Sequence, residues 1–496
     1  MNNMRIKQLF AALCCVMFLL SLKIGYYSVF KNSDSKNAVN AQSSAKLTIS
    51  NKRKPIFDRN GIPLTEREIS VLHLTKNGTL SSSEFESFKS FPFFKRYSSK
   101  TPATHILGYI SDDGKGLSGI EKYLDEKLKT PNNLSIEYES DALGRPLNDG
   151  FFEVENPNPS PNGIKLTIDY HIQKIAENVM DEYIQNGSAV IIDTKTFEIL
   201  AMVSRPDFSK ENIPEAYSQT NSPLLNRALC AYNAGSIYKI VTAAAILEKD
   251  FNYLNSYFYC SGQYPSANEE NHVFHCHKKD GHGYTMFSDG FAKSCNCTFF
   301  EAGKNLGAEN LVETAKKLGF GTKHLKIGSE EASGNVMEKS SYTENDILNM
   351  SIGQGEILVT PLQCAVMTAT VANGGMQKAV SIVKNEKSQS SQRVISPSVA
   401  GAVASMMRHC VLWGTGASAA GNPLEIAGKT GSAETGWLKE NSEYAVHGWF
   451  CGFFPYSAPK YAMVIFCEDG KSGAASCVEP FSKICEEINK IYPIKQ

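Results

Sequence analysis

Two side chains near the middle of the 496-residue chain could carry out acyl transfer through a serine. Ser236 and Lys239 stand three residues apart at the start of an apolar, alanine-rich run, so on a helix they would share one face. A serine hydroxyl is a weak nucleophile that needs an adjacent base. Lysine can be that base only when burial or a nearby cation lowers its pKa. The helix start would also direct backbone N–H groups at anything bound beside Ser236.

Two later stretches could complete such a site. Ser294-Cys295-Asn296 offers a hydroxyl and an amide. Lys429-Thr430-Gly431-Ser432 offers a second cation, two hydroxyls and a glycine that would let a ligand approach an edge strand. Each stretch alone is weak, since an S-x-x-K is usually an ordinary helix start and a K-T-G-S is usually a loop. Their order along the chain, however, is the one found in penicillin-binding proteins and class A β-lactamases.

The chain resembles a class B penicillin-binding protein, a monofunctional peptidoglycan DD-transpeptidase, from about residue 56 to 470. The family's P-G-S-T-F-K is A-G-S-I-Y-K here, and its K-T-G-T is K-T-G-S. The atoms that would carry out the reaction are kept, so these changes bear on substrate specificity more than on the chemistry. Further stretches carry the resemblance: Ile56-Phe57-Asp58-Arg59-Asn60-Gly61, His105-Ile106-Leu107-Gly108-Tyr109, Gly116-Leu117-Ser118-Gly119-Ile120-Glu121, Leu166-Thr167-Ile168-Asp169, Ser351-Ile352-Gly353-Gln354-Gly355 and His447-Gly448-Trp449-Phe450.

The resemblance implies how the proton moves. Ser236 would attack the D-Ala-D-Ala carbonyl of a stem peptide while Lys239 takes its proton. Ser294 would relay that proton to the leaving D-Ala amine. Asn296 would orient Lys239 and the substrate amide. An amine of a neighbouring stem peptide would then resolve the acyl-enzyme into a crosslink, and β-lactams would acylate the same serine.

The resemblance also implies how substrate is bound. Lys429 would supply positive potential, and Thr430 and Ser432 would bind the terminal carboxylate, with Gly431 between them. The backbone N–H groups of Ser236 and Ser432 would form the oxyanion hole, in which one donor is typically worth roughly 10²–10³ in rate. No cofactor is expected for catalysis.

Periodicity predicts an α/β (α+β) fold around these motifs. Apolar residues at helical spacing predict helices over 170–184 and 237–247. Strand-like runs at 188–192, 198–204, 445–454 and 461–466 predict a sheet that joins the two ends of the domain. The resemblance implies a serine β-lactamase/DD-peptidase-like transpeptidase domain at 160–490, with an antiparallel sheet between helices. A small dimerisation-type pedestal domain is expected at 51–155.

The amino terminus reads as a membrane anchor. A basic leader at 1–8 precedes an apolar stretch at 9–30 and a Ser- and Asn-rich linker at 31–50. The rival interpretation is a cleaved signal peptide. Either interpretation leaves the leader in the cytoplasm and the catalytic domain outside it. Lys and Arg number 50 against 51 Asp and Glu, which argues against a nucleic-acid partner. The resemblance implies a polytopic glycosyltransferase as partner.

A cluster of histidines and cysteines lies just before Ser294. Three sulfurs and one nitrogen would suit a structural zinc, with Cys260, Cys276, His282 and Cys295 as the candidates. Cys295 lies between Ser294 and Asn296, so such a zinc would brace the wall of the site. The alternatives are a Cys260–Cys276 disulfide and free thiols. Other residues of these types stand nearby: His272, His275, His277 and Cys297.

Three other functions share these motifs. A β-lactamase would hydrolyse its acyl-enzyme quickly and would leave the anchor and residues 51–150 without a role. A DD-carboxypeptidase would use water as acceptor, and motifs alone do not separate it from a transpeptidase. A catalytically silent scaffold of wall synthesis is disfavoured by the intact Ser236, Lys239, Ser294, Asn296 and Lys429. The sequence leaves open an elongation, division or sporulation role.

Overall fold

The computed structural model describes residues 2–30, 43–50, 53–98, 101–131, 133–156, 158–160, 162–210, 212–266, 273–325, 330–384, 391–438 and 444–494. Its helices are α1 (Asn2–Phe30), α2 (Thr104–Leu107), α3 (Gly119–Tyr123), α4 (Asp125–Leu128), α5 (Tyr170–Tyr183), α6 (Ile213–Ser218), α7 (Lys239–Lys249), α8 (Phe287–Ala292), α9 (Asn296–Leu306), α10 (Ala308–Lys317), α11 (Glu344–Ser351), α12 (Pro361–Ala372), α13 (Pro397–Leu412) and α14 (Gly473–Ile491).

Twenty-one strands are formed by the described residues. They are β1 (Ser44–Ser50), β2 (Ile56–Phe57), β3 (Glu68–Thr75), β4 (Leu80–Ser81), β5 (Ser87–Lys95), β6 (Leu134–Glu139), β7 (Phe152–Glu155), β8 (Ile164–Lys165), β9 (Gly187–Asp193), β10 (Ile199–Arg205), β11 (Tyr232–Asn233), β12 (Tyr257–Cys260), β13 (Gln263–Pro265), β14 (Val273–His275), β15 (Gly283–Met286), β16 (Leu358–Val359), β17 (Met376–Gln377), β18 (Gln392–Arg393), β19 (Ala427–Leu438), β20 (Tyr444–Phe454) and β21 (Tyr461–Gly470).

The chain divides into two compact units that interleave along the sequence. The first comprises Met1–Arg53, Glu68–Arg96 and Lys129–Ser160, and the second comprises Lys54–Arg67, Tyr97–Leu128 and Pro161–Gln496. The sequence predicted continuous domains at 51–155 and 160–490, and the structure differs at 54–67 and 97–128. The reason is physical: Ile56 and Ile106 are fully buried in the large core of the second unit, and β2 pairs in parallel with β8.

The first unit contains two three-stranded sheets, of order β1-β6-β7 and β4-β3-β5. Leu74, Phe91, Ile136 and Tyr138 form its buried core. Strand β1 pairs with β6 from Ser44 to Ser50, so the end of the predicted linker at 31–50 is in fact part of a sheet. Residues 31–42 of that linker lie outside the described residues.

A five-stranded antiparallel sheet of order β10-β9-β21-β20-β19 forms the centre of the second unit. Side chains alternate between the two faces of a strand. In β9, Val190 and Ile192 therefore enter one core cluster, while Ala189 and Ile191 enter another. The sheet is buried on both faces, as the predicted α/β layering requires.

Helices cover both faces of this sheet. Helices α5 and α14 pack on one face, and α5 begins where the Asp169 carboxylate accepts from the N–H groups of His171 and Ile172. The buried helices α7 and α12 lie in the core on the other face. The predicted strands at 445–454 and 461–466 correspond to β20 and β21, and β21 pairs with β9, which joins the two ends of the domain.

Helix α1 is long and apolar enough over Met4–Val29 to cross a membrane. This helix contains the stretch at 9–30 that the sequence predicted as an anchor.

Candidate functional site

A cavity of about 550 Å³ brings the three sequence motifs together. Its walls include Ser236 from the first motif, Ser294 and Asn296 from the second, and Thr430 and Ser432 from the third. These residues come from segments far apart in the chain, so the fold rather than local sequence assembles them. The order of motifs therefore predicted a set of side chains that the structure places around one space.

Ser236 and Lys239 lie where a 3-10 turn, Gly235–Tyr238, leads into α7. In such a turn, side chains three residues apart eclipse each other, so Lys239 and Ser236 lie on the same side of the turn. Ser236 is half-buried, whereas Lys239 is fully buried. Gly235 has a left-handed φ of 56°, and a Cβ there would stand 2.5 Å from the carbonyl oxygen of Ser432. Only glycine allows this turn to approach β19 so closely.

The ammonium nitrogen of Lys239 reaches the second motif. Nζ lies 2.7 Å from the carbonyl oxygen of Ser294, 3.2 Å from Ser294 Oγ and 2.8 Å from Asn296 Oδ1. Burial, followed by repulsion from Lys429, lowers the pKa of Lys239 to about 7, although Cys276, Cys295 and Cys297 act in the opposite direction. A lysine with that pKa is largely neutral at slightly alkaline pH and can accept a proton.

Ser294 sits in the turn between α8 and α9 with an unusual backbone. Its φ of 55° falls in the left-handed region, which is rare for a residue with a Cβ and is often found where function requires it. The conformation aims the hydroxyl between the two lysines. Asn296, the first residue of α9, is held from the other side because its Nδ2 donates to the carbonyl oxygen of His275 at 2.9 Å.

Strand β19 supplies the third wall. Lys429 is fully buried, and its Nζ donates to Ser294 Oγ at 3.0 Å and to the carbonyl oxygen of Thr430 at 2.8 Å. Burial lowers the pKa of Lys429 to about 8. Because β19 is the edge of the sheet, alternate backbone N–H groups have no strand partner and can meet a ligand. A Cβ at Gly431 would stand 2.8 Å from Ile237 Cγ2, so glycine is required there.

Two contacts that sequence reasoning missed fix the hydroxyls of β19. Thr415 Oγ1 lies 2.5 Å from Thr430 Oγ1, and Thr415 also lines the cavity. The N–H of Gly473, at the start of α14, donates to Ser432 Oγ at 3.1 Å. The sequence Gly414-Thr415-Gly416 signals a turn but not a partner for Thr430.

The four candidate metal ligands also come together. The ligand atoms of Cys260, Cys276, His282 and Cys295 all lie within 4.8 Å of one another. His282 Nδ1 stands 3.6 Å from Cys260 Sγ and 3.5 Å from Cys276 Sγ. A tetrahedral zinc with bonds of about 2.3 Å to sulfur and about 2.1 Å to nitrogen would separate these atoms by about 3.6 Å. The donor set therefore fits zinc in type and in spacing.

All thirteen cysteines of the chain are described, and none of them forms a disulfide. The alternative Cys260–Cys276 disulfide is thus not formed in this structure. Hydrogen bonds from Cys295 and Cys297 lower the pKa of Cys276, which favours its thiolate. Cys297 belongs to the same buried cluster but is not one of the four converging donors. His272 lies outside the described residues, and His275 and His277 line the cavity.

Comparisons with known proteins identify the family of this chain. Residues 187–486 match the family model of the penicillin binding protein transpeptidase domain. The chain is 30% identical over 412 residues to stage V sporulation protein D of Bacillus subtilis, covering 78% of this chain and 60% of that protein. It is 27% identical over 484 residues to the peptidoglycan D,D-transpeptidase MrdA of Haemophilus influenzae, covering 85% and 73%.

The chain spans only about 60% of the length of the first two curated relatives it matches, the second being the penicillin-binding protein PbpB of Mycolicibacterium smegmatis. Among solved structures, penicillin-binding protein PBP2 of Helicobacter pylori superposes with a TM-score of 0.73 at 21% identity, covering 91% of this chain and all of that one. This likeness confirms the predicted fold class. Since the family model covers more than half of the sequence, the chain belongs to the penicillin-binding proteins through its transpeptidase domain.

Proposed function

We propose that this protein is a peptidoglycan D,D-transpeptidase that works through an acyl-enzyme on Ser236. The observation that carries the proposal is the convergence of two buried lysines, Lys239 and Lys429, on the hydroxyl of Ser294 in the cavity that Ser236 lines. Burying two cations so close together is costly. The same burial lowers the pKa of both lysines, which a site needs when it moves a proton between a serine and an amine.

The contacts of Lys239 suit a general base. A neutral amine has two N–H groups, and the carbonyl oxygens of Ser294 and Asn296 can accept both of them. The lone pair is then left for a hydroxyl proton. In the first step the bond from Ser236 Oγ to the D-Ala carbonyl forms, and the serine proton passes to Lys239. The peptide C–N bond then breaks, and the proton reaches the leaving D-Ala amine through Ser294.

Strand β19 would bind the substrate. The hydroxyls of Thr430 and Ser432 would hold the terminal carboxylate beside the positive charge of Lys429. The N–H groups of Ser236 and Ser432 would stabilise the oxyanion. The amine of a second stem peptide then attacks the ester carbonyl and gives a proton to Lys239. The ester C–O bond breaks, and Lys239 returns that proton to Ser236 Oγ. A β-lactam enters by the same route: Ser236 opens the lactam C–N bond, and the product stays as an ester.

A DD-carboxypeptidase would use the same residues with water as the acceptor. The relatives named D,D-transpeptidases support the amine as acceptor. The test is to incubate the full chain in detergent with a D-Ala-D-Ala pentapeptide and a free amine acceptor, and to follow products by mass spectrometry. Crosslinked product that disappears in Ser236→Ala supports the proposal. Hydrolysed tetrapeptide alone would identify a carboxypeptidase.

We further propose that Cys260, Cys276, His282 and Cys295 hold a structural zinc. The match of donor types and spacings to a tetrahedral ion supports this assignment. The ion would supply no step of the reaction. It would tie the paired strands β12 and β15, and the segment that follows β14, to the start of α9, and so hold Ser294 and Asn296 in place.

The setting of the enzyme is part of the proposal. Helix α1 would cross the cytoplasmic membrane once, with the basic residues Arg5 and Lys7 inside and the catalytic unit outside. A glycan-polymerising membrane protein would be the partner. One solved structure with the same fold belongs to a peptidoglycan synthase complex, and another is a complex between PBP2 and MreC of Helicobacter pylori. An accessibility assay on a cysteine placed at either end of α1 tests the orientation.

A further inference from the structure

A buried thiol lies behind strand β19 and contacts a hydroxyl of the cavity wall. Cys410 belongs to the last turn of α13 and is fully buried. Its Sγ stands 3.3 Å from Thr415 Oγ1, within reach of a thiol hydrogen bond. In the part of the chain that the structure describes, the thiol has no other hydrogen-bond partner. Its one polar contact is thus with a residue that in turn contacts Thr430.

The turn that follows α13 brings these groups together. The N–H of Gly416 donates to the carbonyl oxygen of Cys410 at 3.0 Å, so the chain folds back onto the end of its own helix. The N–H of Thr415 donates to the carbonyl oxygen of Ala292 at 3.1 Å. A Cβ at Gly414 would stand 2.2 Å from that same oxygen, so only glycine allows this approach. The backbone therefore fixes Thr415, with its hydroxyl held between the thiol and strand β19.

The proton of Thr415 decides the direction of the two hydrogen bonds. Thr415 Oγ1 lies 2.5 Å from Thr430 Oγ1, and both residues line the cavity. The Thr415 hydroxyl can donate its one proton either to Thr430 Oγ1 or to Cys410 Sγ. Sulfur is only a weak acceptor, so the proton belongs on the bond to Thr430. The other bond must then carry the thiol proton, and both bonds point from Cys410 towards the cavity.

This direction matters for a bound carboxylate. A carboxylate has no proton and can only accept hydrogen bonds. Thr430 can therefore hold it only by donating its own proton, and it can do so while its oxygen accepts from Thr415. In the reversed order Thr430 would donate to Thr415 and turn its lone pairs towards the carboxylate, which would repel them. A thiol at the far end disfavours the reversed order, because sulfur would then be the last acceptor.

We propose that Cys410 is a positioning residue that directs the Thr430 proton towards the substrate carboxylate through Thr415. The inference rests on the proposed function, in which Thr430 binds that carboxylate. It adds a residue that lies outside the cavity to the groups that select a carboxylate end. Hydrogen bonds in series polarise one another, so a donor two bonds away strengthens the contact with the substrate.

Benzylpenicillin and its methyl ester separate positioning from packing, because the ester lacks the carboxylate. Both acylation rates are measured on the full chain in detergent by competition with a fluorescent penicillin. Cys410→Ala and the larger Cys410→Val have no proton to donate, and each should lower the ratio of acid to ester rates about threefold. Cys410→Ser keeps a donor and should keep the ratio. Cys485→Ala, at a buried cysteine of α14, is the packing control and should leave the ratio as in the native chain.

A double-variant cycle tests the route through Thr415. Thr415→Val alone should slow acylation by the acid about fivefold. Adding Cys410→Ala should slow it no further, because the thiol then has no hydroxyl to act on. Independent effects would instead multiply to about fifteenfold.

The outcomes keep this inference and the proposed function apart. Equal slowing of acid and ester in Cys410→Ala and Cys410→Val would show a packing role and overturn the inference. A ratio that Cys410→Ser fails to keep would overturn it too, as would a Cys410→Ala effect that persists beside Thr415→Val. If benzylpenicillin does not acylate Ser236 in the native chain, the proposed function fails and the positioning role fails with it.

Discussion

The proximity of Lys239 and Lys429 leads to a quantitative prediction about pH. Their bonds of 3.2 and 3.0 Å to the same Ser294 oxygen place the two nitrogens within about 6 Å of each other. At an effective dielectric constant of about 20, two unit charges at that distance repel by about 2.8 kcal/mol. One pKa unit corresponds to about 1.4 kcal/mol, so a charged Lys429 at that distance would lower the pKa of Lys239 by about 2 units.

The perturbation is Lys429→Met, which removes the charge but keeps much of the volume. In the native chain, acylation by a fluorescent penicillin should rise with pH through about 7, because only the neutral form of Lys239 accepts the serine proton. The variant should show its inflection 1 to 2 units higher, because burial alone then lowers the pKa. Its maximal rate should also fall, since the carboxylate of the penicillin loses its cation. The native chain loses the same cation as the pH rises above about 8, so its own rate should pass through a maximum between about 7 and 8.

The assay is the second-order acylation rate between pH 5 and 9.5, and the position of the inflection is read separately from the height. Lys429→Arg is the matched control, because it keeps the charge and should keep the inflection near the native value. An unchanged inflection in Lys429→Met would refute the electrostatic coupling. A rate that falls as pH rises through 7 would refute the role of neutral Lys239 as the base.

Three further predictions follow from the structure of the site. His282→Ala should lose stoichiometric zinc and melt at a lower temperature, whereas Cys297→Ser should keep the metal; equal zinc in both variants would contradict the four-ligand assignment. Thr415→Val removes a hydrogen bond to Thr430 worth about 1 kcal/mol and should slow acylation by about fivefold, and a native rate would exclude this positioning role. Gly235→Ala should destabilise the chain by about 2 kcal/mol or more and slow acylation at least tenfold, and native melting and rate would contradict the tight approach to β19.

Local patterns in the sequence could predict the parts of the site that lie within one element. Ser236 and Lys239 are close because three residues make one turn, and that spacing is visible in the sequence. The strands β20 and β21 were also predictable, since their apolar runs are long and bounded by a Pro-containing turn. The pairing of β21 with β9 followed from placing strands at both ends of the domain.

Contacts between distant segments could not be predicted in the same way. The carbonyl of His275 accepts from Asn296, and Thr415 bonds to Thr430, but neither pair has a signal in local periodicity. The return of 54–67 and 97–128 to the second unit depends on short elements such as β2, whose two residues carry no pattern of their own. Tertiary packing decides such placements.

The cysteine cluster could be predicted in part, because its residue types are visible in the sequence but its side-chain directions are not. Residue types favoured Cys260, Cys276, His282 and Cys295, and the structure brings the same four donors together. Sequence alone offers no physical reason to prefer them over Cys297, which is equally buried. Whether a cysteine joins the four donors depends on the direction of its side chain. That direction is set by the strand pairs β12–β15 and β13–β14 and by the start of α9.

The most direct test of the central claim is the site of covalent labelling by penicillin. The full chain in detergent is treated with a fluorescent penicillin, its intact mass is recorded, and the labelled peptide is sequenced by mass spectrometry. We expect one adduct per chain, stable for many minutes, on the peptide that contains Ser236, and no adduct in Ser236→Ala. An adduct that persists in Ser236→Ala, or that maps to another residue, would contradict the account.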